Sequence, residues 1–135
     1  MCELENVCNT LKIFYGGDAM ASSKLRQGDI IMLDNAPKPK HNHEQKGYRP
    51  WLVVSDPFLT VVSPFAWVIP FTSEEKNFPT AVKWNGKEEG TVTKGTLLVE
   101  QLTSLDLKNR KYKIVDHTDR IPKQVFQNIV NILAL

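Results

Sequence analysis

Read for the spacing of its apolar positions, the chain changes character once. In residues 1–24, Leu4, Val7, Cys8, Leu11 and Phe14 recur at three- and four-residue intervals, the spacing of one helical face. Gly16 and Gly17 follow, and glycine after the last periodic position stops a helix. A short amphipathic helix is expected there, joined by the small residues 19–23 to what comes next. Beyond it, short runs rich in β-branched and aromatic residues alternate with turn residues. Strands are expected at 29–34 (DIIMLD), 49–55 (RPWLVVS), 64–72 (PFAWVIPFT), 80–84 (TAVKW), 95–99 (GTLLV) and 111–117 (KYKIVDH). Pro70 should limit the pairing of the third strand or put it near an edge. Asn85-Gly86 is the strongest short hairpin signal. Pro122 opens a closing helix whose Val125, Ile129, Ile132 and Leu133 form one stripe.

About six strands and few helices predict a mainly β fold with some α: a small antiparallel β-barrel or twisted sheet with helices packed outside. Residues 25–135 form the expected domain, and residues 1–24 a helical appendage with its linker.

Composition narrows the class. The 135 residues are 41% hydrophobic and 24% charged, a balance that suits one folded domain and excludes a disordered chain. A net charge of +2 excludes a strongly basic nucleic-acid coat protein. The longest apolar run, residues 61–71, is broken by Ser63, Pro64 and Pro70 and is too short to span a membrane. Glu3 and Glu5 stand where a secretory signal would carry cations. Cys2 and Cys8 would lie about 240° apart on a helix, so reduced thiols in a cytoplasmic protein are expected.

The longest connection in the core, residues 35–48 (NAPKPKHNHEQKGY), is cationic through Lys38, Lys40 and Lys46. Loops of this length are usually functional or mobile. An anionic polymer would suit it, and so would plain solvent. His41-Asn42-His43 are consecutive letters, unlike the dispersed set of a ββα-metal nuclease. No third ligand stands at metal spacing from them, so no metal or cofactor is expected. The run Lys108-Asn109-Arg110-Lys111-Tyr112-Lys113 is a second cationic stretch.

Four motifs in order give a resemblance. Gln27-Gly28-Asp29-Ile30-Ile31 is similar to the opening strand of the MazF/PemK/Kid family of toxins. Glu44-Gln45-Lys46-Gly47-Tyr48-Arg49-Pro50 resembles its E-Q-x-G-x-R-P signature, and Ile69-Pro70-Phe71-Thr72-Ser73 its V-P-x-T segment. Gly95 through Leu102 (GTLLVEQL) resembles its G-x-x-x-x-D-Q segment. The resemblance covers about residues 26–135. It implies an SH3-like β-barrel, a homodimer, metal-independent cleavage of single-stranded RNA at short sequences, and an acidic cognate antitoxin that occupies the RNA groove.

Metal-free RNA cleavage uses the ribose 2′-OH as nucleophile, so it needs a proton acceptor, a proton donor for the leaving 5′-oxygen, and positive charge at phosphorus. Arg49 falls on the family's catalytic arginine. Its guanidinium can clamp two phosphate oxygens, and Pro50 restricts it to extended backbone. Thr72 falls on the catalytic threonine. Glu44 and His43 are the candidate proton acceptors, and a histidine before E-Q also occurs in the Kid branch. Gln101 falls on the family's glutamine and would hold the phosphate or a base edge. Tyr48 is a candidate stacking residue, and Lys38, Lys40, Lys46 and Lys111 candidate phosphate contacts. Trp51, on a strand, reads as core or dimer interface. Two departures stand out. Glu100 replaces the usual aspartate, and Leu98 stands where the Kid branch carries an arginine, which favours an Arg49/Thr72-centred mechanism. A non-catalytic RNA- or antitoxin-binding relative is the alternative. A gyrase poison of the CcdB type fits less well, because that activity depends on a tryptophan near the C-terminus and none follows Trp84.

Overall fold

The computed structural model describes residues 25–35, 43, 44 and 47–135. The helix and linker expected in residues 1–24 lie outside the described residues. Seven strands follow: β1 (Asp29–Asp34), β2 (Tyr48–Val53), β3 (Phe65–Thr72), β4 (Ala81–Trp84), β5 (Gly95–Leu98), β6 (Thr103–Asp106) and β7 (Lys113–His117). Two α-helices, α1 (Pro57–Val62) and α2 (Lys123–Leu133), and a one-turn 3₁₀ helix (Val99–Gln101) complete the described elements. The six expected strands form, with ends moved by one or two residues; β6 and α1 are additions. Helix α1 starts where Asp56 accepts the Phe58 N–H at 2.9 Å and Pro57 takes the first helical position, a signature of helix initiation.

The sheet runs β4-β5-β3-β2-β1-β7, antiparallel throughout, and β6 adds to β3. Strand β3 is therefore central: of the two effects expected of Pro70, the edge position does not occur, while the limited pairing does. Its first half pairs β6, ending at Val68↔Thr103, and its last two residues pair β5, beginning at Phe71↔Leu97. Pro70 falls between these ladders, where the missing N–H breaks no bond to β5 or β6. The hairpin signal also needs correction. Strands β4 and β5 do pair, but residues 85–94 separate them. Asn85 and Gly86 begin this longer loop: Asn85 Oδ1 accepts the N–H groups of Lys87 and Glu88 at 2.8 and 3.1 Å, and Gly86 takes a φ of +88°.

Alternation along the strands puts apolar residues on both faces. Register partners Ile30, Leu52 and Ile69 join Phe71, Trp84, Leu97, Val99 and Val125 in one cluster, where Phe71 and Trp84 meet edge to face at 5.3 Å. Ile31, Leu33, Trp51, Val53, Ala66, Val68, Leu105 and Leu107 form a second cluster. Helix α2 closes the first with Val125, Asn128 and Ile129, and Asn128 Nδ2 donates to the Thr80 carbonyl at 3.1 Å. Ile132 and Leu133, expected on the same stripe, are half-exposed in the last turn. Only the first two turns of α2 rest on the sheet.

Strands β4 and β7, at the two ends of the path, do not pair. Side chains of the β7 segment reach the β4–β5 loop instead. Asp116 Oδ2 accepts the N–H groups of Val92 and Thr93, each at 2.9 Å, and the Thr118 hydroxyl donates to the Glu89 carbonyl at 2.6 Å. The result is barrel-like, closed by a carboxylate rather than a ladder. At the entry to β1, Gly28 donates to the Val53 carbonyl and accepts from Thr118 N–H, both at 2.9 Å. Its φ is +95°, and a Cβ there would meet the Thr118 oxygen at 2.0 Å. His117 bridges buried Asp29 and exposed Asp119, with 2.7 Å on each ring nitrogen.

Asp116→Ala should lower stability by about 1 kcal/mol, the usual net worth of a hydrogen bond, since the Val92 donor is exposed and only the Thr93 donor is partly buried, read as an earlier urea midpoint. The hydrogen bond and charge of His117 hold the Asp119 carboxyl below the usual carboxylate range. A carboxyl lowered on folding contributes stability above its unfolded pKa and loses it as pH falls through the folded one. Below about pH 4, the thermal midpoint of the native protein should therefore fall more steeply with acid than that of Asp119→Asn.

Candidate functional site

One end of the sheet collects the residues singled out by sequence. The β2–β3 ladder stops at Trp51↔Pro70; carried two residues further, the same register sets Arg49 opposite Thr72. Side chains at 49, 51 and 53 share the face of the second apolar cluster, as do those at 66, 68, 70 and 72. Arg49 and Thr72 thus continue that cluster to the strand ends. Past the last ladder pair, Arg49 Nη1 donates to the Phe71 carbonyl at 3.2 Å, fixing the guanidinium beside the end of β3.

Burial lowers the pKa of the half-buried Arg49 guanidinium, an effect that nearby Asp34 and Glu74 oppose without cancelling. It stays charged at neutral pH. A charge partly withdrawn from water acts on its surroundings more strongly than one in bulk solvent. Glu74 is exposed, and the hydrogen bond and charge of Lys76 hold its carboxyl below the usual range. Thr72 is only 6% exposed. Its Oγ1 accepts the Glu74 N–H at 3.2 Å, a local turn bond that leaves the hydroxyl hydrogen as its donor.

Trp51, two residues along β2 from Arg49, lines a cleft of about 150 Å³ together with Asn35, Glu44, Glu100, Gln101, Leu102 and Thr103. The 3₁₀ helix after β5 presents Glu100 and Gln101 to it. Gln101 Nε2 donates to the His43 carbonyl at 3.4 Å, so Gln101 meets the main chain of His43 there. Glu100 Oε2 accepts from the Thr80 hydroxyl at 3.2 Å. Leu98, where an arginine would mark the Kid branch, is buried.

Tyr48, paired with Asp34, is 65% exposed at the rim. Lys111 is exposed just before β7, and Arg110 Nη1 donates to the Asp34 carbonyl at 3.3 Å, so this basic run approaches the same end. Lys38, Lys40 and Lys46 lie outside the described residues. The structure thus gathers Arg49, Thr72, Glu44, Gln101, Tyr48 and the backbone of His43 at one end. Sequence reading did not single out Asn35 or Thr103. The signal for them is register, since both sit at strand ends that meet only in the folded sheet. Among the described residues, no three His, Cys, Asp or Glu side chains converge as metal ligands would.

The chain is 28% identical over 113 residues to the Endoribonuclease EndoA of Bacillus subtilis, an alignment spanning 82% of this chain and 96% of that protein. Its fold matches a MazF structure from Deinococcus radiodurans with a TM-score of 0.69, at 24% identity over 82% of this chain and 97% of the other. An endoribonuclease in complex with its cognate antitoxin, from a mycobacterial species, matches with a TM-score of 0.62 at 18% identity, over 84% and 97% of the two chains. The model of the PemK-like, MazF-like toxins of type II toxin–antitoxin systems matches residues 26–135. With that match over most of its length, on a barrel-like sheet of the same fold, the chain belongs to the PemK-like, MazF-like toxin family.

Proposed function

We propose that this protein is the toxin of a type II toxin–antitoxin pair and acts as a metal-independent endoribonuclease on single-stranded mRNA in the cytoplasm. The observation that carries the reading is the placement of Arg49 and Thr72 at the ends of β2 and β3, just past their last ladder pair, with the guanidinium anchored on the Phe71 carbonyl. In the reaction, the 2′-oxygen forms a bond to the adjacent phosphorus while the bond to the 5′-oxygen breaks. The products are a 2′,3′-cyclic phosphate and a 5′-hydroxyl.

Each residue has a part. The Glu44 carboxylate takes the 2′-OH proton, with the His43 ring the other candidate acceptor. Arg49 clamps the non-bridging oxygens and offsets the charge that builds on them. The Thr72 hydroxyl, already accepting from Glu74 N–H, donates its hydrogen to a phosphate oxygen. The leaving 5′-oxygen is protonated from the Arg49 side or by solvent. Because Leu98 is buried, no cation reaches the site from that position, and Arg49 carries the electrostatic load. Gln101 holds the strand at the cleft, Tyr48 stacks on an unpaired base, and Lys38, Lys40, Lys46 and Lys111 contact flanking phosphates. A homodimer and an acidic antitoxin complete the assembly; the mycobacterial relative bound to its cognate antitoxin supports the latter.

Purified protein incubated with mixed-sequence RNA in excess EDTA should cut at discrete sites and leave 2′,3′-cyclic ends detectable by mass. Arg49→Ala should lower the rate by about 10²–10³-fold, the scale of losing one well-aimed donor to a developing oxyanion. Uncut RNA under these conditions would favour the non-catalytic binder. Lys111→Ala should spare the cut pattern and reduce the slope of log affinity against log salt by about 0.7, one phosphate contact on a single strand.

A further inference from the structure

Helix α2 carries more apolar surface than the sheet covers. Val125, Asn128 and Ile129 face the first cluster. Phe126, Val130 and Leu133, spaced by four and three residues, share a neighbouring flank. Phe126 and Val130 are each 37% exposed and Leu133 57%. This flank begins close to where residues 1–24 join the sheet. Leu25 is buried in the second cluster, and Gln27 Nε2 donates to the Val54 carbonyl at 2.8 Å, which fixes the junction. Gln27 then lines a groove of about 300 Å³ with Thr118, Asp119, Ile121 and Phe126. The groove therefore leads from the junction to the first residue of the flank.

We propose that residues 4–14 dock as a helix on this flank and strap α2 from outside. The family match begins at residue 26, and residues 1–24 lie outside the described residues. In the sequence, Leu4, Val7, Cys8, Leu11 and Phe14 make one apolar stripe at helical spacing. A stripe of that kind needs an apolar partner. Reach is sufficient. The ten residues 15–24 span up to about 33 Å when extended, whereas the 11 residues of α2 extend about 16 Å. Three side chains are a small face for a separate partner, which usually covers about 800 Å² a side. A tethered segment needs less, because a short linker sets an effective concentration in the millimolar range. The chain's own N-terminal stripe is thus the occupant that the flank fits.

The chain's two cysteines, Cys2 and Cys8, both fall in this segment and report on it. Cys8 is on the stripe and Cys2 is off it. The full chain is alkylated with N-ethylmaleimide, the rate at each thiol is followed by mass spectrometry, and each rate is divided by its value in concentrated urea. Thiol reactivity follows exposure, so Cys8 should react about tenfold more slowly than Cys2, the protection of a thiol that is free a tenth of the time. Val130→Asp and Leu133→Asp, with folding checked by circular dichroism, should bring Cys8 to the rate of Cys2. Gln127→Asp, on the polar side of α2, should leave the protection intact. If a flank variant does not fold, the comparison of the two thiols in the native protein still decides. Equal rates at Cys8 and Cys2 overturn the proposal. Protection that survives both flank variants overturns it by placing the segment elsewhere, and protection that fades on dilution overturns it in favour of a second copy of the chain.

Discussion

Strand β3 is flanked along one edge by β2 and along the other by β6 for its first half and β5 for its end. A strand can serve two neighbours on one edge only if the ladder is interrupted between them, and Pro70 occupies that interruption. The switch turns the sheet, so that β5 and the 3₁₀ helix after it swing Glu100 and Gln101 towards the ends of β2 and β3. It also ends β3 at Thr72, with the Phe71 carbonyl within reach of Arg49. If β3 paired along its full length with one partner, these groups would be spread over separate edges.

The site is thus assembled from strand ends whose other residues are core. Arg49 shares a face with Trp51 and Val53, and Thr72 with Val68 and Ala66. Core packing therefore limits how far either can move. The guanidinium sits where water is partly excluded, which lowers its pKa without discharging it. Its field is stronger there than in bulk solvent, and the hydrogen bond to Phe71 sets its position before any ligand arrives.

Local pattern in the sequence foretold much of this. The strand cores and the closing helix are legible because β-branched runs and period-3.6 stripes are properties of neighbouring residues. The motifs around Arg49, Thr72 and Gln101 pointed to residues that the fold brings to one end. What local pattern could not supply was partnership. Thr103–Asp106, only four residues long, is a strand because β3 has an edge to offer it, and its own letters resemble a loop. Pro70 suggested an edge because the two-partner switch is invisible in one dimension. Asn85-Gly86 marked a turn correctly, but its loop is lengthened by the bonds to Asp116 that draw it to β7. Helix α2 buries Asn128 because the Thr80 carbonyl needs a donor, a demand set by a residue 48 positions away. The cleft was hidden for the same reason, since Asn35 follows β1, Trp51 lies within β2 and Thr103 opens β6.

The bonds that close the sheet carry one more consequence. Asp29 opens β1, yet its partner His117 lies 88 positions later, and the Asp116 clasp to Val92 and Thr93 also waits on β7. Contacts of such separation pay their loop-closure entropy late in folding. On the ribosome, β1, β2 and β3 emerge first and carry Arg49 and Thr72, while the segment that locks the sheet emerges about forty residues later. A nascent chain therefore holds Arg49 and Thr72 before it holds a closed barrel, and the sheet is locked only after β7 has been made.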